Sequence, residues 1–276
     1  YDGLTWTMAD GSAAIYTISG NTLKVGTPTQ KEVQYGTVNA AIAGLTRSFG
    51  LTTVPDMFDG KGTAENPYLI STKADMLKLA DLTNEEGLPY TGKHFLLCND
   101  LDYANDTVYS QIGRVNPFGG HFNGNGKTIL NLNIRHISDM ALFGTLAEGG
   151  SLSNLTLKGG KFTAPSSGRA AGFVNKCSGT VTNCVNYNTM DCGPDTKGSY
   201  AAGVVYEVLE KGVVSNCVNY GQLLSRSGNT GGIVGVAGRN TLVTDCQNHG
   251  RITCYSTQWG GVVGRTWHHP QLLQRR

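Results

Sequence analysis

The chain has 276 residues, a net charge of +2 and an apolar fraction of 39%, which exclude a disordered polar chain and favour a folded core. Its 38 glycines and its charged fraction of only 15% are typical of β-structure with many tight turns. No run of Lys or Arg indicates a nucleic-acid partner, and no segment stays apolar over the ~18 residues that a transmembrane helix needs.

Residues 1–57 are predicted to form a small β-rich N-terminal unit or the remnant of a preceding domain. Two apolar runs, Ala14–Ile18 and Leu23–Val25, are separated by Ser-Gly-Asn-Thr and therefore predict a β-hairpin. Apolar residues also fall at helical spacing from Val38 to Phe49, so one helix is a further expectation for this unit.

The following segment is predicted to open a domain over residues 58–267. Pro67–Ile70 has the composition of a short strand, and Thr72 with Asp75 three residues later matches a variant of the capping box. A helix is therefore expected over residues 73–83. An open end of stacked strands invites aggregation, so we expect this helix to cap the first coil.

Two motifs repeat with a common period of about 30 residues in the second half of the chain. The first has the form Val-[Ser/Thr]-[Asn/Asp]-Cys-x-Asn, and its cysteines lie 33 and then 29 residues apart. The second is Ala-Gly or Gly-Gly before two apolar residues, and its glycines lie 31, 29 and 29 residues apart. The aligned positions are Val181, Val214 and Val243; Cys184, Cys217 and Cys246; Asn186, Asn219 and Asn248; and Gly172, Gly203, Gly232 and Gly261.

This period favours one repeat architecture. Helical repeats carry few glycines, because each internal glycine costs a helix ~1 kcal/mol, and propeller blades need about 40–50 residues. We therefore predict an all-β fold, a right-handed parallel β-helix with about 30 residues per coil, each coil holding three short strands and three turns. Equivalent residues of successive coils lie about 4.8 Å apart, so each aligned set should form a ladder.

The ladders assign structural roles to the repeated residues. We expect the valines to stack in the core and the asparagines to bond one another at a corner that needs a left-handed backbone. The glycines permit tight corners or close packing. The cysteine column is compatible with disulfides, a metal ladder or free buried thiols, and the parallel side chains favour free thiols.

Several segments resemble GLUG-motif bacterial surface proteins. The segments that carry the resemblance are Phe58–Thr72, Asn99–Asp102, Phe118–Ile129 and the Gly-Gly-Ile-Val-Gly coils. It extends over residues 58–264 and implies a pectin-lyase-like β-helix in exported, adhesin-like proteins, with coils related to the N-terminal region of IgA-cleaving metallopeptidases. It implies no catalytic residues. Residues 1–57 lie outside it, and we interpret residues 268–276 as a tail.

Candidate functional residues are few in the repeats. A carbohydrate-active β-helix needs converging carboxylates, and the acids here do not recur one period apart in a suitable pattern. The metalloprotease and serine-hydrolase motifs are absent, so we assign no catalytic, cofactor-binding or metal-binding residue. Asp191 and Asp195, in one long loop, are candidate ligand contacts or solvated loop acids. Tyr255 and Trp259, with Trp267, are a candidate sugar-stacking patch or ordinary packing residues.

Three functions are compatible with the sequence. The first is a non-enzymatic secreted or cell-surface module of adhesin type that binds host or dietary glycan or a host surface protein. The second is a carbohydrate-active enzyme, a polysaccharide lyase or glycoside hydrolase, that uses the groove of the β-helix. The third is a structural spacer. We expect an extracellular or cell-surface location, no cofactor, and a monomer or a piece of a longer multidomain chain.

Overall fold

The computed structural model describes residues 4–12, 14–26, 34–53, 57–108, 110–135, 139–163, 168–192, 199–226, 229–255 and 258–267. Backbone contacts divide the chain into two compact units, Tyr1–Lys61 and Gly62–Arg276. The boundary predicted after residue 57 stays a prediction, and the predicted tail lies outside the described residues.

The described strands of the N-terminal unit pair antiparallel. β1 (Thr5–Met8) precedes a hairpin of β2 (Tyr16–Ser19) and β3 (Thr22–Val25), which confirms the hairpin predicted from the two apolar runs. β4 (Gln34–Ile42) and β5 (Leu45–Thr53) form a second, longer hairpin. β1 adds to this hairpin by pairing with β4.

The helix expected between Val38 and Phe49 is wrong, because both residues lie in the second hairpin and face each other across it. Ala43 and Gly44 reverse the chain there, with φ angles of 50° and 82°. Val38 and Ile42 are four residues apart, which places them on one face of a strand as well as on one face of a helix. The spacing alone therefore did not distinguish the two structures.

The second unit is a parallel β-solenoid of about six coils, with about 29 residues per turn and one short helix, which confirms the predicted fold class. β6 (Tyr68–Ile70) and β7 (His94–Leu97) pair in parallel on either side of α1 (Lys73–Asn84). The first coil continues with β8 (Leu101–Asp102) and β9 (Thr107–Val108).

Each of the next five coils contributes one strand to each of five parallel sheets. We number these sheets first to fifth in the order in which a coil passes through them. The strands of the second coil are β10 (His121–Asn123), β11 (Thr128–Leu130), β12 (Asn133–Arg135), β13 (Asp139–Met140) and β14 (Phe143–Leu146). Those of the third are β15 (Ser151–Ser153), β16 (Thr156–Lys158), β17 (Lys161–Thr163), β18 (Arg169–Ala171) and β19 (Val174–Cys177).

The later coils repeat the same order. The fourth coil contains β20 (Thr180–Thr182), β21 (Val185–Asn186), β22 (Thr189–Asp191), β23 (Tyr200–Ala202) and β24 (Val205–Val208). The fifth contains β25 (Val213–Ser215), β26 (Val218–Asn219), β27 (Leu223–Ser225), β28 (Thr230–Gly231) and β29 (Val234–Ala237). The sixth contains β30 (Leu242–Thr244), β31 (Gln247–Asn248), β32 (Ile252–Cys254), β33 (Trp259–Gly260) and β34 (Val263–Thr266).

Each of the second to sixth coils thus has five strands, and the prediction of three is wrong for these coils. The first and second sheets are separated at a residue with a left-handed backbone, such as Asn183 with a φ of 53°. The fourth and fifth sheets are separated by two residues, one of them a glycine in the third to sixth coils. Apolar periodicity indicates a single strand on each side of the coil. Each of these breaks divides such a strand into two shorter strands.

The predicted capping box begins α1. The backbone amide of Asp75 donates to Oγ1 of Thr72 over 3.2 Å, and the backbone amide of Thr72 donates to Oδ2 of Asp75 over 2.9 Å. At the other end of the helix, Nδ2 of Asn84 donates to the carbonyl oxygen of Gln111 over 2.7 Å, and the amide of Val115 donates to Oδ1 of Asn84 over 3.1 Å. The helix is therefore fastened to the chain that completes the first coil.

Candidate functional site

The repeated asparagines form a continuous ladder of side-chain amides inside the solenoid. Nδ2 of Asn186 donates to Oδ1 of Asn219 over 2.8 Å, and Nδ2 of Asn219 donates to Oδ1 of Asn248 over 2.8 Å. Each amide also bonds the backbone two residues further along the chain, just past the end of its strand. Asn186 and Asn219 are completely buried and Asn248 is half-buried, so the ladder joins successive coils and its two inner amides offer no atom to a ligand.

The repeated glycines pack against this ladder. A Cβ atom on Gly203 would lie 2.5 Å from Cγ of Asn219 and still closer to the carbonyl oxygen of Gly232. Gly172 and Gly232 are packed in the same way against the following coil, whereas a Cβ atom on Gly261 would meet nothing within 4 Å. The glycine column therefore makes room for the amide of the next coil.

The left-handed backbone that we expected at the ladder asparagines occurs three residues earlier. Asn183, Asn216 and Asp245 have φ angles of 53°, 52° and 53°. The corner between the first and second sheets thus precedes the strand that carries the ladder, and the expected position was wrong. The sequence did contain a signal for this corner. Asn and Asp tolerate a left-handed backbone, and the third position of the first motif is Asn or Asp in all three copies.

The valine and cysteine columns line the same corner. Val181, Val214 and Val243 pair in register and are buried. Cys184, Cys217 and Cys246 follow one another in register as free thiols. The hydrogen bond with Cys184 is the main factor that raises the pKa of Cys217, and the one with Cys217, followed by burial, raises the pKa of Cys246. Such thiols are poor nucleophiles and poor metal ligands at neutral pH.

The predicted ligand contact Asp191 is engaged by a lysine of the preceding coil. Its Oδ2 lies 2.6 Å from Nζ of Lys161, and its side chain is only 17% exposed. The companion candidate, Asp195, lies outside the described residues. Asp191 therefore stays a candidate contact, with its carboxylate already occupied by an ion pair.

The three predicted aromatic residues are separate exposed rings on the last coil. Tyr255 is 72% exposed, and Cζ of Arg226 lies 4.6 Å from its ring centroid. Cζ of Arg265 lies 4.5 Å from the ring centroid of Trp267, and Trp259 is exposed on β33. Among the described residues these three rings make no contact with one another, so they do not form one stacking surface.

A second exposed aromatic column follows the asparagine ladder. The rings of Tyr187 and Tyr220 stack at 4.8 Å with planes 8° apart, and Tyr220 stacks on His249 at 5.0 Å. The faces of neighbouring rings are turned toward each other, and this spacing leaves no room for a sugar between them. Only ring edges and the ends of the column are accessible, so the column is better suited to joining coils than to stacking a ligand.

A charged cluster that sequence analysis missed lies on the outer side of the fourth and fifth sheets. Nε of Arg169 lies 3.6 Å from Oδ1 of Asp139, and its Nη1 atom lies 3.8 Å from Oε2 of Glu207. Cζ of Arg169 lies 5.2 Å from the ring centroid of Tyr206. The ring centroids of Tyr206 and Tyr200 lie 5.8 Å apart. We call these five residues the Arg169 cluster. They come from three consecutive coils.

Small residues create the space that Tyr206 occupies. Its ring is 5% exposed and packs on a row of alanines from three coils, Ala141, Ala171 and Ala202. On the next coil a Cβ atom at Gly235 would lie 2.8 Å from the tyrosine ring, so glycine is required there. Burial raises the pKa of Tyr206 to about 12, so its hydroxyl stays protonated at neutral pH.

A polar cavity of about 220 Å³ adjoins the cluster and shares Asp139 with it. Its lining residues are Gln111, Arg114, Asp139, Gly144, Thr145, Asn175 and Lys176. Gln111 and Asn175 are buried, and Nδ2 of Asn175 donates to Oε1 of Gln111 over 3.1 Å. We call the cavity and the Arg169 cluster together the polar face.

The sequence contained a signal for the polar face. Asp139, Arg169 and Tyr200 pair in register and therefore share one phase of the repeat, as Lys176 and Glu207 share another. They differ in chemical type, so a search for repeated residue types does not detect them. A search for titratable residues that lie at the same offset from the repeated glycines would have grouped Arg169 with Tyr200, and Lys176 with Glu207.

An apolar cavity of about 210 Å³ lies elsewhere, between α1 and the first coils, and is lined chiefly by residues such as Met76, Leu132 and Ile134. Among the described residues, no three His, Cys, Asp or Glu side chains come together in a way that could hold a metal ion. Within the residues that the structure describes, no helix is both long enough and apolar enough to cross a membrane.

Comparison with known proteins shows similarity over part of the chain. No family model matches. The chain is 36% identical over 115 residues to a protein of Evansella cellulosilytica named as a candidate Gly-rich membrane protein, and 31% identical over 114 residues to the halomucin of Haloquadratum walsbyi. These matches cover 38% and 39% of this chain, and it spans only 12% and 1% of those relatives.

A solved structure shares the architecture. It belongs to a Bacteroides ovatus protein named as a candidate immunoglobulin A1 protease, with a TM-score of 0.57 over 75% of this chain and 64% of that one. The two sequences are 17% identical, so the likeness shows the fold alone. The parallel β-solenoid is thus known from a bacterial protein of a different sequence.

Proposed function

We propose that this chain is a non-catalytic, adhesin-like module of an extracellular or cell-surface protein, in which the solenoid is a stiff support that presents the polar face to a glycan. The names of the two relatives, a membrane protein and a halomucin, support a surface or structural setting. The register of the coils supports the role of a rigid support, because each outer side chain is held at a fixed distance from its equivalent on the next coil.

The observation that carries this proposal is the Arg169 cluster. Asp139, Arg169 and Glu207 come from successive coils, and the buried ring of Tyr206 lies beneath the guanidinium. Arginine, carboxylate and tyrosine side chains on rigid strands can bond sugar hydroxyls in a fixed direction. The cluster is also partly exposed, since the side chain of Arg169 retains 34% of its accessible surface.

A carbohydrate-active enzyme is the second candidate, because Asp139 and Glu207 lie on the same outer face. Glycoside hydrolases place two carboxyl groups on opposite sides of the bond that they cleave, about 5–10 Å apart. Here the guanidinium of Arg169 lies between the two carboxylates, where that bond would have to lie. The arrangement therefore favours binding over hydrolysis.

A glycan array with the full chain tests the proposal. We expect binding to a subset of glycans, and a roughly tenfold or greater loss of affinity in Arg169→Ala, which removes the centre of the cluster. Arg251→Ala is the matched control, because Arg251 is an exposed arginine outside the polar face. Equal losses in both variants, or no glycan bound by the unmodified chain, would contradict the proposal.

The bound glycans also separate the alternatives. Incubation with the chain should leave them intact by mass spectrometry. Cleavage that disappears in Asp139→Asn or Glu207→Gln would instead establish the enzyme. Binding to a host surface protein without any glycan would point to a protein adhesin, and no binding of either kind would favour a spacer.

A further inference from the structure

The amides in the polar cavity have a fixed orientation. Nε2 of Gln111 donates to the carbonyl oxygen of Asp139, which can only accept. The other end of that amide, Oε1, then accepts from Nδ2 of Asn175. This chain of bonds leaves Oδ1 of Asn175 as a buried acceptor without a partner among the described residues. Asn175 is 2% exposed, and a buried acceptor of this kind requires a donor.

The charges of the cavity favour an anion. Arg114 and Lys176 line it, and neither has an ion-pair partner among the described residues. Asp139 is the single carboxylate of the lining, and Arg169 already pairs with it. Two residues with cationic side chains and no ion-pair partner among the described residues therefore line a cavity whose one carboxylate is already paired with Arg169.

The two requirements together define a ligand class. An inorganic sulfate satisfies the cations but has no hydrogen to donate to Oδ1 of Asn175. A neutral sugar has hydroxyl donors but leaves the two cations unpaired. A sugar that carries a carboxylate satisfies both, because its hydroxyls donate and its carboxylate accepts.

The size of the cavity limits the ligand to one unit. Its volume of about 220 Å³ is smaller than the ~300–1,000 Å³ of sites for drug-sized molecules. One sugar ring therefore fills it, and any remaining glycan would have to lie outside. The shared residue Asp139 directs that continuation toward the Arg169 cluster.

We propose that the polar cavity binds the acidic sugar unit of a glycan. Arg114 and Lys176 hold the sugar carboxylate, and a ring hydroxyl donates to Oδ1 of Asn175. This inference rests on the proposed glycan-binding function and names the class of unit that the polar face selects. A carboxylated sugar can be a hexuronate or a sialic acid, which share this chemistry.

The test is a titration of the full chain with free sugars, monitored by NMR. The probes are glucuronate, galacturonate, N-acetylneuraminate, glucose and sulfate. We expect at least one acidic sugar to bind roughly tenfold more tightly than glucose or sulfate, and to shift the side-chain amide signal of Asn175. Which acidic sugar binds identifies the source of the carboxylate.

Variants show whether the cavity is responsible. Lys176→Gln and Arg114→Gln should each weaken binding of the acidic sugar by roughly tenfold, whereas Lys127→Gln, outside the cavity, should leave it unchanged. Asn175→Leu should lose the preference for sugar over sulfate, with its thermal midpoint measured to show that it folds. Equal binding of sulfate and acidic sugar by the unmodified chain would reveal a simple anion site and overturn the inference.

The array separates failure of this inference from failure of the proposed function. Arg169-dependent binding of neutral glycans alone would overturn the acidic-sugar assignment and leave the proposed function standing. If no glycan binds, both are wrong.

Discussion

The inward column of the second sheet differs between the two halves of the solenoid. In the first three coils this column is Leu101, Ile129 and Leu157, and in the last three it is Asn186, Asn219 and Asn248. Both halves bury the column apart from the half-buried Asn248, yet one half fills it with hydrocarbon and the other with hydrogen-bonded amides. The same backbone register thus supports two kinds of core.

The residue opposite the column changes with it. Where the amides begin, the facing position is glycine, as at Gly172, whereas one coil earlier it is Ala141, which is completely buried. The backbone amide of Leu142 donates to the carbonyl oxygen of Gly172, which is the pattern of a parallel pair between Leu142 and Phe173 and therefore places Ala141 beside Gly172. An amide column therefore requires a glycine column, and the pairing explains why the two sequence motifs share one period.

The largest expected effect comes from breaking the amide ladder at its centre. Asn219→Leu removes four hydrogen bonds, one with each neighbouring asparagine and two with the backbone of Gly221, and each such bond contributes ~0.5–1.5 kcal/mol. We expect the free energy of unfolding to fall by about 4 kcal/mol, measured by urea denaturation. The matched change in the apolar half, Leu157→Ile, should cost about 1 kcal/mol. Similar losses in both variants would show that the two halves do not differ in this way.

A somewhat smaller effect is expected from filling the glycine column. Gly203→Ala places a Cβ atom against Asn219 and the backbone of the next coil, and we expect a loss of about 3 kcal/mol by the same measurement. Gly261→Ala is the control at the same phase, since it has open space around it, and should change stability by less than about 0.5 kcal/mol. Equal effects would contradict close packing of the internal glycine.

The smallest effect concerns pH and should be confined to the first coils. His94 and His121 lie in register with ring centroids 4.5 Å apart, and the same column continues as Ser151 and Thr180. Burial, followed by the charge of His94, lowers the pKa of His121 from 6.5. The unfolded chain therefore binds more protons, and this contribution to stability is lost as the pH falls below about 6.5.

His121→Gln should reduce the loss of thermal stability between about pH 7 and pH 5, a window that follows from the ordinary histidine pKa. Hydrogen exchange at mildly acidic pH should show earlier opening at β7 and β10 than at β20 and β25. An unchanged pH profile in the variant, or equal opening of both regions, would contradict a separate contribution from the histidine pair.

The same comparison explains which features the sequence predicts. Within the last three coils the inward columns keep their residue type, so Val181, Asn186 and Cys184 predict the coil length and the stacking directly. Outward columns keep only their phase. Asp139, Arg169 and Tyr200 share a column but not a chemistry, so their association in the Arg169 cluster was not predictable from repetition of residue type.

Two local errors have the same kind of cause. Val38 and Ile42 satisfy both a helical and a strand spacing, and the turn at Gly44 decides between them. The number of strands per coil depends on backbone angles at Asn183 and its equivalents, which apolar periodicity does not report.

The polar cavity was not predictable from the repeats either. It depends on Gln111, which lies outside the repeated motifs and lines the cavity only in the folded chain.

The most direct test of the stacked register is NMR of the asparagine side chains in the intact chain. The structure predicts nuclear Overhauser contacts between the side-chain amides of Asn186 and Asn219 and between those of Asn219 and Asn248, with slow hydrogen exchange at the buried amides of Asn186 and Asn219. It predicts no contact between Asn186 and Asn248, which are two coils apart. Rapid exchange at all three amides, without contacts between successive coils, would contradict the stacking of equivalent residues.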